Sequence, residues 1–123
     1  MYDYCDKDGV NEIAEWTRKL QKPQRIKLRL KFDMLAQHGP DLMPHTLTNT
    51  DERFIYKLRV QGNPKLRPLL CKGPLEESEF TILIGAKEVQ WDFDPRDALE
   101  KAVTHRQVII DNPERRCDHE RIS

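Results

Sequence analysis

Apolar residues recur along the chain with two periods, and the switches between them order the elements. Tyr2 and Tyr4 alternate with polar neighbours, which predicts a short first strand; residues 6–9 (DKDG) then turn the chain. Val10, Ile13, Ala14, Thr17 and Leu20 recur at helical spacing, so residues 10–20 read as a helix. Trp16 lies one turn from both Ile13 and Leu20 and reads as core. Pro23 suits the first turn of a second helix over 23–38, where its missing N–H is not needed. That helix carries two stripes, Ile26–Leu30–Met34 and, roughly opposite, Leu28–Phe32–Leu35, which predicts packing on both sides. Gly39 and Pro40 end it.

After a loop with a short strand near His45–Leu47, the period changes to two. Tyr56, Leu58 and Val60 share one face of a strand over 54–60, and Ile55, Lys57 and Arg59 share the other. The QGNPK segment turns the chain, and Leu66, Pro68 and Leu70 return on one face. Pro68 removes a ladder donor and predicts a bulged or locally unpaired strand. Phe80–Ile84 is nearly all apolar and reads as central. Pro95 opens a last helix to about Ile110, with Ala98, Leu99, Ala102, Val103 and Ile109 as its apolar side. The expected fold is α+β: two N-terminal helices on a small antiparallel sheet of three to four strands, then a C-terminal helix. Residues 1–112 form one domain, and residues 113–123 are a charged, flexible tail. With the helices on one face, Lys57, Arg59 and Arg67 are expected on the other, as an exposed basic surface. Leu30, Met34, Leu58, Val60, Leu83 and Leu99 are expected in the core.

Composition adds a constraint. Charged residues make up 34% of the 123 positions and balance to a net charge of zero. The balance hides segregation: Arg18–Lys31 holds seven basic residues and no acidic one, and every charge from Arg53 to Lys72 is basic. Glu76–Glu100 holds eight acidic residues against Lys87 and Arg96. A polar molecule with one positive side follows. Cys5, Cys71 and Cys117 are odd in number and far apart, and no secretory pattern opens the chain. They read as free thiols in a reducing cytoplasm. No apolar run reaches membrane-spanning length. His38, His45, His105 and His119 are scattered, and no HExxH, CxxC pair or Gly-rich phosphate loop occurs, so no metal site is expected.

Six ordered stretches carry a resemblance: EWTRKL (15–20), RLKFDMLAQHGPDL (29–42), IYKLRV (55–60), LRPLL (66–70), ILIGAK (82–87) and PRDALEKA (95–102). Together they resemble toxins of the RelE/ParE superfamily, in the phage-derived, HigB-like branch, over about residues 10–110. The resemblance implies a RelE-like fold and a cytoplasmic toxin of a type II toxin–antitoxin system. Such a toxin is an mRNA endoribonuclease, often acting on the ribosome and neutralised by a helix-turn-helix antitoxin. The chemistry uses no cofactor: the ribose 2′-OH attacks the neighbouring phosphate, one side chain takes its proton, another protonates the leaving oxygen, and cations stabilise the phosphorane.

By position the resemblance assigns Arg59, Arg67 and Lys87 to catalysis, with Lys57 or His45 assisting; His45, in the loop before the meander and within reach of the sheet face, is the fourth catalytic candidate. Lys57, Lys65 and Trp91 are the expected RNA contacts, Trp91 by stacking. The chain departs from the branch after residue 85, where GAKEVQWDFDP keeps a single lysine, Lys87, among Glu88, Asp92 and Asp94. Two other readings follow: a non-catalytic phage or prophage protein that grips a protein partner through the acidic segment with Trp91 and Phe93, and a ParE-type gyrase inhibitor.

Overall fold

The computed structural model describes all 123 residues. In chain order the elements are β1 (Tyr2–Tyr4), α1 (Glu12–Arg18), α2 (Lys22–His38), β2 (Leu47–Asn49), β3 (Ile55–Leu58), β4 (Lys65–Leu66), β5 (Leu69–Lys72), β6 (Phe80–Ile84), β7 (Lys87–Val89), β8 (Asp92–Asp94), α3 (Ala98–Asp111) and β9 (Arg116–Asp118). Asn11 caps α1: its side-chain oxygen accepts from the Ala14 N–H at 3.0 Å, satisfying a donor that the first turn leaves free. Pro23 sits in the first turn of α2, and Gly39, at φ 52°, closes that helix with its N–H on the Leu35 carbonyl.

The sheet is larger than the apolar periods predict. Six strands run in the order β2-β3-β5-β6-β1-β9, with β1 parallel to β6 and the other pairs antiparallel. A second sheet of three strands, β4-β7-β8, stands beside it. This corrects the expected sheet of three to four antiparallel strands. The added strands were illegible because Lys87–Val89, Asp92–Asp94 and Arg116–Asp118 are three residues long and mostly charged, too short and polar to show a period of two. Pro68 does interrupt its strand: β4 and β5 lie on either side of it, and the β5–β6 register shifts between Leu69 and Leu70.

Helices cover both faces of the sheet. On one, Ile13 and Leu20 with Leu28, Phe32 and Leu35 pack against Leu47, Leu58, Val60, Leu66, Leu70 and Ile82. On the other, Ala98, Ala102 and Ile109 of α3 pack against Ile55, Leu69, Cys71 and Leu83. The small alanines let α3 approach closely. The expected free face of the sheet is therefore covered over much of its area by α3. Leu58, Val60 and Leu83 are buried as the alternation predicts, whereas Leu30 is 52% exposed and Met34 and Leu99 are half-buried. Of the two stripes on α2, only Leu28–Phe32–Leu35 meets the sheet. Trp16 lies flat over Gly85: a Cβ there would stand 2.0 Å from its Cδ2.

The termini are joined. Cys5 and Cys117 form a disulfide, and only Cys71 is a free, buried thiol, which corrects the reading of three free thiols. Sequence separation concealed this pair, because β1 and β9 become neighbours only in the folded sheet. Residues 113–123, expected to be flexible, are docked. The fully buried Asp3 carboxylate accepts from the Asn11 side chain (2.9 Å) and the Glu120 N–H (3.1 Å), and pairs with His119 Nδ1 (2.8 Å). Arg121 forks onto Asp33, and Arg18 reaches Glu120. No helix is long and apolar enough to cross a membrane.

Candidate nucleic-acid interface

Of the expected site residues, Arg67 is the one the structure changes most. It is not on an exposed face; it is 1% exposed. Its Nη1 donates to the carbonyls of Leu66 (2.8 Å) and Val60 (3.3 Å), and its Nε lies 3.3 Å from Glu88 Oε1. Its backbone N–H donates to the Ala86 carbonyl at 2.8 Å. Burial lowers its pKa, the Glu88 charge raises it, and the nearby Arg59 charge lowers it again. Arg67 is thus a buried cation that ties the 60–67 turn to the root of the β7–β8 hairpin. Pairing explains its burial: an arginine removed from water needs a carboxylate and carbonyl acceptors around it.

The same carboxylate serves Lys65. Its Nζ is 3.7 Å from Glu88 Oε2, across the β4–β7 ladder where Lys65 faces Glu88. Asp92, on β8, is likewise engaged, 3.8 Å from Arg96 in the turn before α3. The acidic stretch after residue 85 is therefore partly neutralised by cations of its own site. Lys57, Arg59 and Lys87 have no carboxylate within 4 Å. Alternation along the strand sends Lys57 and Arg59 away from Leu58 and Val60, toward the side of α3 and the hairpin. Arg59 is exposed, and its positive charge is felt at Arg67. Lys87 is half-buried on β7, opposite Leu66 and Asp94.

A cleft of about 550 Å³ opens between the end of β2, the middle of β3 and the hairpin. Lys57 lines one wall, Glu88, Trp91 and Asp92 another, and Arg96 and Leu99 the rim at the start of α3. Asn49, Thr50, Asp51 and the side of Phe93 complete it; Asn49, Thr50, Asp51 and Arg96 carry no local pattern that marks them as site residues. Trp91 and Phe93, expected as a pair, are divided: Phe93 packs inward beside the α3 core, while Trp91 is 93% exposed.

His45 does not join the site. It is exposed in the turn before β2 and lines no wall of the cleft; its neighbour Thr46 gives its carbonyl to the Arg59 N–H at 2.8 Å. His105 is also structural, stacked on Tyr4 at 3.7 Å with Nδ1 2.8 Å from the Leu83 carbonyl. Burial holds its pKa below the ordinary histidine value. No cluster of three or more histidine, cysteine, aspartate or glutamate side chains is arranged to hold a metal ion.

Comparison of the chain with models of known protein families, with curated proteins and with solved structures finds no match.

Proposed function

We propose that this chain is the toxin of a type II toxin–antitoxin pair, an endoribonuclease that cuts mRNA without a metal, and that the cleft beside the β7–β8 hairpin receives the RNA. The six ordered stretches in the sequence supply the reaction class. The observation that carries the site is that Lys57 and Trp91 line one cleft while its two carboxylates nearest Trp91, Glu88 and Asp92, are already engaged by cations. The cleft's own lining carries Lys57 and Arg96 against Asp51, Glu88 and Asp92; because Glu88 and Asp92 are paired with cations, Lys57 is the charge left available to a phosphate beside the ring.

Roles divide accordingly. Lys57 is the cation of the cleft without a carboxylate partner and is placed to stabilise the phosphorane, and the exposed Arg59 guanidinium, which lies outside the cleft lining, is a second fork for phosphate. Arg67 keeps the wall in place and holds Glu88, which makes it a positioning residue. The test is induced expression with growth and mRNA integrity followed together, comparing wild type with Lys57→Ala and Arg59→Ala. Cleavage lost in both variants supports the reading; intact mRNA and normal growth in the wild type end it.

One observation favours a second reading. An arginine expected to grip phosphate is instead buried on Glu88, out of reach of a phosphate in the cleft, as in a protein without catalysis. On that reading the hairpin binds a protein partner, and expression is harmless.

A further inference from the structure

Trp91 is the most exposed large apolar side chain in the protein. It stands at the tip of the β7–β8 hairpin, and both tip residues, Gln90 at φ 50° and Trp91 at φ 70°, occupy the left-handed region. A two-residue hairpin turn needs that backbone, and glycine or asparagine ordinarily supplies it. Glutamine and tryptophan adopt it at a cost. The hairpin therefore accepts strain and sets a large ring in water, while Phe93, two residues on, packs inward.

The ring divides two clefts. The cleft of about 550 Å³ with Lys57 and Arg96 lies on one side. A second, of about 390 Å³, lies on the other, between the Gly62–Lys65 turn and the hairpin. Glu88 lines both, and its single charge is shared by Lys65 and Arg67, so this group keeps a net positive charge. Each side of the ring thus has a lysine: Lys57 in one cleft, Lys65 in the other.

We propose that Trp91 is a stacking platform for one unpaired base of a single-stranded RNA, whose backbone crosses the hairpin tip with a phosphate toward Lys57 on one side and toward Lys65 on the other. This rests on the RNA-cutting reading of the cleft and specifies the substrate as unpaired. Bases within a duplex have no free face for the ring. A protein partner fits less well, because a buried anchor needs an apolar surround. Near the tip Val89 is the other exposed large apolar side chain, Phe93 and Leu99 are half-buried in the first cleft, and the residues lining both clefts are mostly polar. Stacking needs only the ring face and nearby cations.

The experiment is a fluorescence titration of the whole protein with a short uridine oligomer, with a duplex of the same length, and with a basic and an acidic peptide as protein surrogates. Trp16 is half-buried on Gly85 and serves as the internal reference. The oligomer is expected to quench wild-type emission, and the Trp91→Ala protein, left with Trp16 alone, is expected to show no quenching. By anisotropy of a labelled oligomer, Trp91→Ala should weaken binding about five- to hundred-fold, with Trp91→Phe recovering most of it. Full affinity in Trp91→Ala, equal quenching by the duplex, or quenching by a peptide and not by the oligomer would each overturn the platform. If Trp91→Ala binds RNA normally while Lys57→Ala no longer cuts mRNA, the platform fails and the nuclease reading stands. If the wild type neither binds the oligomer nor cuts mRNA, both fail.

Discussion

Arg67 Nε and Glu88 Oε1 lie 3.3 Å apart, joining the turn after β3 to the hairpin that bears Trp91. The arginine is almost wholly buried and the carboxylate mostly so, and removing either strands the other. Glu88→Ala should therefore destabilise the fold by about 3 kcal/mol or somewhat more, the lower part of the range for breaking a buried pair. Arg59→Ala, at an exposed position, should change stability by less than about 0.5 kcal/mol. Denaturant melts of the two variants check the contrast. Equal stability losses would mean that Arg67 is not held as described.

Gly85 and Trp16 form a second such coupling. Gly85→Ala places a methyl group 2.0 Å from the indole, so the ring or the end of β6 must move. Overpacking of this kind costs about 1–3 kcal/mol. The double variant Gly85→Ala, Trp16→Ala should then lose less than the sum of the singles, because the alanine methyl occupies part of the vacated space. Additive losses would contradict the contact.

How far the sequence announced this arrangement depended on where each interaction lies along the chain. Local signals were legible: Pro23 and Gly39 bound α2 to within a residue, Pro68 split its strand, and Phe80–Ile84 lies inside the sheet. Interactions between distant segments were not. Nothing local distinguishes an arginine aimed at solvent from one aimed at Glu88, 21 positions on; both read as the polar side of a strand. The position of α3 was missed for a related reason. Its alanines bury little area each and make a weak apolar stripe, yet they allow the close packing that covers the second face. The cleft inherited both errors. Lys57, Arg59 and Trp91 were named from pattern and resemblance, whereas the pairing of Glu88 and Asp92 depends on strands too short to read.

The Cys5–Cys117 disulfide closes nearly the whole chain into a loop. A cross-link of that span restricts the unfolded chain strongly, and its removal should cost about 2–5 kcal/mol. Cys117→Ser, or addition of a reductant, should lower the guanidinium midpoint accordingly and expose residues 116–123 to proteolysis. Cys71 should contribute no reactive thiol in the native state, since burial pushes its pKa up to about 12. Two thiols titrating in the native protein would contradict the bond.

Acid should weaken the fold in two stages. Burial lowers the His105 pKa, so the folded state resists its protonation. The stabilisation is complete above the ordinary histidine value of about 6.5 and is lost as pH falls from there toward the folded value, because the unfolded chain takes up the proton first. The hydrogen bond from Arg121 lowers the Asp33 pKa, so that pair contributes above the ordinary carboxylate range and is lost as pH falls through the folded value. Being exposed, it contributes little. Thermal melts from pH 8 to 4 should show a fall beginning near about 6.5 that is absent in His105→Gln. A flat profile in the wild type would contradict the burial of that ring.

The central claim is that the cleft between Lys57 and the Trp91 hairpin cuts RNA, and primer-extension mapping of 5′ ends in cellular mRNA after induced expression tests it most directly. The account predicts new 5′ ends within minutes of induction, together with arrested growth. Both should be abolished by Arg59→Ala and by Lys57→Ala, in proteins whose melts match the wild type. Unchanged mRNA and normal growth on wild-type expression, or new 5′ ends that persist in the folded Lys57→Ala and Arg59→Ala proteins, would contradict it.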